Sequence, residues 1–134
     1  MFDNNGYNQY KQNSINTATP GELTLMLFNG LVKFIMQGQN GIDEKNTVKS
    51  HDGIIRAEDI LTELRATLDL NYEIAKYLDS LYEYMHRRLI QANIKKDKEI
   101  LEEVLGMAKE LRDTWAQAMK LAKQQVKTQE AIAK

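Results

Sequence analysis

Glu83-Tyr84-Met85-His86 is the stretch with the clearest chemical potential, a Glu-x-x-His of the kind that helical di-metal carboxylate proteins use. Such a site needs two of these motifs and further carboxylates on facing helices. The chain has two histidines, and the other, His51, follows Val48 at the position where a glutamate would be required. On a helical wheel Glu83 and His86 fall opposite the apolar stripe, so they read as solvated residues and no metal site is expected. Asp79 and Glu83, four residues apart, read as a polar face rather than an acid–base dyad. The chain offers no glycine-flanked serine and no phosphate-cradling glycine loop. Without cysteine, thiolate ligands, disulfides and cysteine nucleophiles are excluded. An enzyme is not expected, nor a cofactor.

The elements that carry these residues are helical. The 134 residues contain a single proline, Pro20, and no run of period-two alternation bounded by turns. Thr19-Pro20-Gly21-Glu22 fits a capping box, and the first helix runs from Pro20 to between Gly38 and Asp43. A second spans about Asn46 to Leu68, with Ile54, Ile55, Ile60, Leu61, Leu64 and Leu68 at helical spacing. A third spans about Tyr72 to Asn93, with a stripe of Ile74, Leu78, Leu81, Met85, Leu89 and Ala92. Asp97 caps a fourth, from Lys98 to about Val126, with Ile100, Val104, Ala108, Leu111, Trp115, Met119 and Ala122 on its inner face. Short connections then predict an all-α, antiparallel four-helix bundle over 19–126. Residues 1–18, polar and without period, read as a flexible tail, and 127–134 as a frayed end.

Composition narrows the partners. The net charge is −1 and the pI about 6.1, with no basic block, so nucleic acid is not expected. No stretch is long and apolar enough to span a membrane, and no signal peptide is visible, which points to the cytoplasm. The first helix carries more apolar surface than one bundle face needs: Leu23, Leu25, Met26, Leu27, Phe28, Leu31, Val32, Phe34, Ile35 and Met36 cover most of its circumference. Either the helix is central or part of it meets another chain. Tyr77 and Tyr84 flank the third stripe on one side and Tyr82 on the other, with Arg88 near the first flank. A self-associating structural bundle is the alternative reading of the same surplus.

Three blocks in order, "NSINTATPGELTLMLFNGLVKFI" (13–35), "LDSLYEYMHRRLIQANIKKDKEILEEV" (78–104) and "LRDTWAQA" (111–118), resemble the bacterial flagellin export chaperones of the FliS family. The resemblance implies a cytoplasmic, non-enzymatic helical bundle. It implies binding of the disordered C-terminal segment of flagellin, which prevents premature polymerisation, and delivery to the export platform component FlhA. Groove candidates under that resemblance are Leu23, Met26, Leu27, Phe28, Leu31, Tyr77, Leu81, Tyr82, Tyr84, Met85 and Arg88. The N-terminal tail, with Tyr7, Tyr10 and Ile15, is implied as a lid over the substrate surface and, at Tyr10, as an export-platform contact. Many members carry Tyr-Asp where Phe28-Asn29 stand, and Gly-Gly where Tyr72-Glu73 stand.

Overall fold

A computed structural model describes residues 17–133. Four helices follow one another: α1 (Pro20–Asp43), α2 (Thr47–Ala66), α3 (Glu73–Lys95) and α4 (Lys98–Ala133). Each begins for a local reason. The Thr19 hydroxyl accepts from the Glu22 amide at 3.2 Å, and the Glu22 carboxylate accepts in return from the Thr19 amide at 3.4 Å. Asn46 Oδ1 caps α2 through the Lys49 amide, and Asp97 Oδ1 caps α4 through the Glu99 amide at 2.9 Å. Lys96, at φ 51°, turns the chain out of α3 in the left-handed region.

The helices pack as a square in which α1 touches α2 and α4, and α3 touches α2 and α4. Connections this short force neighbours to run antiparallel. Every helix contributes sealed side chains to one core: Phe28, Leu31 and Ile35 from α1, Ile54, Leu61 and Leu64 from α2, Tyr82, Met85 and Leu89 from α3, Leu101 and Val104 from α4. Among the described residues no helix is long and apolar enough to cross a membrane.

Two seams set the geometry. Between α1 and α2 the backbones nearly touch. A Cβ on Gly41 would sit 2.4 Å from the Ser50 nitrogen, and one on Gly53 would sit 2.8 Å from the Gly38 nitrogen. Between α2 and α3 three polar bridges recur at two-turn spacing. His51 Nδ1 accepts from Asn93 Nδ2 at 2.9 Å, His86 Nε2 lies 3.3 Å from Glu58 Oε1, and Arg65 Nε lies 2.8 Å from Asp79 Oδ1. Positions 51, 58 and 65 thus run against 93, 86 and 79, which fixes the register of the pair.

This ladder corrects the solvated reading of His86 and Asp79: both bridge helices. Glu83 does face solvent, paired with Arg87 at 3.3 Å on its own helix. Ile55 and Ile74, assigned to inner stripes, are 38% and 64% exposed. The last helix also continues beyond Val126 to Ala133. Its inner stripe is buried through Ala108 and half-buried through Met119, and every described residue from Lys120 onward is exposed. Lys, Gln and Ala in that extension are good helix formers and sustain the helix without packing.

Candidate substrate grooves at one end of the bundle

The surplus apolar surface of α1 divides at its middle. Phe28, Leu31, Val32 and Ile35 are closed off by the other helices, whereas Leu23 to Leu27 remain half-buried. Around that first half open two adjoining grooves. The first, about 630 Å³, lies where α1 starts, α2 ends and α3 begins, and is lined by Leu23, Leu27, Leu68, Leu78, Tyr82 and Trp115 among others. The second, about 530 Å³, runs between α1 and α2 and is lined by Leu23, Met26, Leu27, Phe34 and Ile60 among others. Leu23, Leu27 and Thr67 belong to both.

Trp115 holds the first groove open. Its indole N–H donates to the Gly21 carbonyl at 3.0 Å, tying α4 to the first turn of α1. Its ring meets Phe28 edge-on at 6.2 Å, and Phe28 in turn meets Tyr82 at 6.4 Å. Tyr72 and Ile74, which line this groove, are each 64% exposed, and Leu70 and Tyr77, close to them in sequence, are 53% and 61% exposed, a concentration within one turn-and-helix start. Clustered exposure of this kind marks an interaction surface, because single exposed apolar residues are common and contiguous ones are not.

The sequence candidates separate into groups. Leu23, Met26, Leu27 and Tyr82 line the two grooves. Tyr77 and Leu81 line a smaller cavity, about 330 Å³, between α3 and α4. Phe28, Leu31 and Met85 are sealed in the core, where no partner reaches them without displacing the bundle. Tyr84 and Arg88 converge on Glu103 of α4, the Tyr84 hydroxyl at 3.0 Å and the Arg88 guanidinium at 2.9 Å. The Arg88 bond holds the Glu103 carboxyl below the usual range, with the Tyr84 hydroxyl adding to it and partial desolvation opposing. That trio braces α3 on α4 and belongs to neither groove's lining. Tyr82 is the one flank tyrosine that turns inward, 2% exposed.

Residues the helical wheel passed over include Thr67, Tyr72 and Ala75, whereas Leu68 was read as the end of the α2 stripe. They sit at or beside the α2–α3 connection, where lining is set by how one helix ends and the next begins. Trp115 was legible as apolar, but its place at a groove wall depends on the start of α1, ninety-four positions away in sequence. Tyr7, Tyr10 and Ile15 lie outside the described residues. Among the described residues no group of three or more His, Cys, Asp or Glu is placed to hold a metal.

The sequence also matches known proteins. Residues 3–122 match the family model described as flagellar protein FliS. The flagellar secretion chaperone FliS of Bacillus subtilis strain 168 is 47% identical over 119 residues, covering 89% of this chain and 90% of that protein. The protein of the same name from Salmonella typhimurium is 32% identical over 124 residues, covering 87% and 92%. That from Vibrio cholerae is 31% identical over 114 residues, covering 81% and 84%. This chain is a member of the FliS family.

Proposed function

We propose that this chain is a cytoplasmic, non-catalytic export chaperone that binds the C-terminal segment of flagellin in the two adjoining grooves, blocks its premature polymerisation and presents it to FlhA at the export platform. The observation that carries the reading is the pair of apolar grooves meeting at Leu23 and Leu27, in a chain whose relatives are named flagellar secretion chaperones. A disordered segment gains from such a surface by folding an amphipathic face into it, at a cost in ordering entropy that the buried apolar area must exceed. Leu23, Met26, Leu27 and Tyr82 are the residues we assign to contact. Tyr77 and Leu81 extend the contact onto the α3–α4 side. Phe28, Leu31 and Met85 act from beneath by fixing the groove floor.

Residues 1–18 serve as the lid. Docked on the groove, two tyrosines and an isoleucine would bury on the order of 500 Å², worth roughly 12 kcal/mol as an upper bound. Ordering some eighteen residues costs roughly as much. A lid so balanced shields the groove and yields to a longer, better-matched helix.

Calorimetric titration tests both points. Full-length flagellin should bind one-to-one with a negative heat-capacity change, and flagellin lacking its C-terminal segment should not bind. Equal binding of the two forms would overturn the reading. The chain lacking residues 1–18 should bind as well or slightly better; loss of binding with an intact fold would make the tail part of the site instead of its cover.

A further inference from the structure

The first groove has walls largely of leucine, alanine and tryptophan, and its one buried tyrosine carries a hydroxyl without a bond. Tyr82 is 2% exposed and lines this groove. Its hydroxyl makes no hydrogen bond to a described residue. It is also not closed off from solvent: among the described side chains, the sealed and unpartnered polar atom is Ser50 Oγ. Of the other polar groups of the lining, the Thr24 and Tyr72 hydroxyls also make no hydrogen bond to a described residue, but Thr24 is half-buried and Tyr72 is 64% exposed, whereas others are engaged. The Trp115 N–H is held by the Gly21 carbonyl, and the Thr67 hydroxyl donates to the Leu64 carbonyl at 2.7 Å. An unbonded hydroxyl that is not sealed from solvent is one that water can satisfy in an empty groove. A segment that fills the groove expels that water, and a buried hydroxyl left without a partner weakens binding.

We infer that Tyr82 determines specificity in the first groove, its hydroxyl hydrogen-bonding an uncharged polar side chain, an amide or a hydroxyl, carried by an otherwise apolar stretch of the bound segment. The inference rests on the reading of this groove as the flagellin site. A helical segment has its backbone carbonyls committed to its own ladder, so a side chain must supply the partner. A carboxylate or ammonium group would be desolvated against Leu23, Leu27 and Leu78, at a cost one hydrogen bond does not recover. Burial also pushes the Tyr82 hydroxyl up to about 12, which keeps it a neutral donor at every physiological pH.

The test uses the whole chain, wild type and Tyr82→Phe, titrated calorimetrically with the C-terminal segment of flagellin from the same bacterium. The substitution keeps the ring that packs on Phe28, so melting should stay within a few degrees of wild type. Binding should weaken about 5–30-fold. Replacing each Asn, Gln, Ser and Thr of the segment by Ala in turn should reveal one position with a similar loss. That loss should vanish when the partner is Tyr82→Phe. Wild-type binding with Tyr82→Phe equal or tighter overturns the inference and leaves the flagellin reading standing. A wild-type chain that does not bind the segment overturns both. Should Tyr82→Phe melt much lower, the alanine series on wild type decides alone: no sensitive position overturns the inference.

Discussion

Burial acts on Tyr82 in the free chain as well as in the complex. Desolvation disfavours the phenolate and raises its ionisation to about 12 from an ordinary value of 10. Between those values the unfolded chain has released a proton that the folded chain still holds. The folded state binds more protons, so stability falls as pH rises from 10 towards 12, by on the order of 2 kcal/mol. Tyr82→Phe removes the titrating group. Denaturant midpoints at pH 9 and pH 11.5 should therefore drop less in the variant than in wild type, and parallel drops would place the hydroxyl in water. The wheel put this tyrosine at the flank of α3, opposite Tyr77 and Tyr84, because it weighs each position only against its own helix. In the bundle, α3 turns so that Ala75 and Tyr82 point inward while Ile74 points out. Small and aromatic side chains there fill the space beside Phe28 better than a second aliphatic row. Arg88, placed by the wheel near the Tyr77 and Tyr84 flank, has a carboxylate partner in Glu103 across the α3–α4 seam.

Helix positions and order were readable from caps and apolar spacing, and the observed ends agree within a few residues of the expected ones, except that α4 continues past Val126 to Ala133. The seams between helices were not, since their determinants lie on two elements at once. Gly38 and Gly41 lie in the stretch, Gly38 to Asp43, where the sequence left the end of α1 open. Their role emerges only beside Ser50 and Gly53, where absent side chains let α1 and α2 approach. This contact also lays α2 close along α1, and so sets the width of the second groove between Leu23–Phe34 and Ile60. Gly41→Ala and Gly53→Ala should each destabilise the fold by about 2 kcal/mol, because backbone atoms have to move. Gly106→Ala on α4 meets nothing within 4 Å and should stabilise it by about 0.5–1 kcal/mol. Chemical denaturation of the three variants checks the ordering; a stable Gly41→Ala would mean that the two helices are not in close contact. The His51–Asn93, Glu58–His86 and Arg65–Asp79 bridges escaped the wheel for the same reason. His86 and Asp79 read as members of a solvated face until the opposite helix supplied their partners. Within the middle bridge, desolvation raises the Glu58 carboxyl above its usual range, and the attraction of His86 opposes that rise without cancelling it.

On the scale of the whole molecule, the bundle has a packed body and an unpacked helical extension. Residues 120–133 contribute helix without burial, so ending the chain after Met119 should lower the helical signal in circular dichroism while leaving stability within about 0.5 kcal/mol. A fall of more than about 5 °C in the melting midpoint would show that the extension packs on the body. The grooves occupy the opposite circumstance: apolar residues held half-open by rigid neighbours, at the end where α1, α2 and α3 start or stop. Methyl NMR of the leucine-labelled chain, titrated with the flagellin C-terminal segment, puts the functional reading to trial site by site. Leu23, Leu27, Leu68 and Leu78 should shift strongly and saturate at one equivalent, while Leu121 on the exposed extension should not move. Shifts confined to Leu121 or to other leucines outside the grooves, with Leu23 and Leu27 unchanged at saturation, would contradict a substrate site at this end of the bundle.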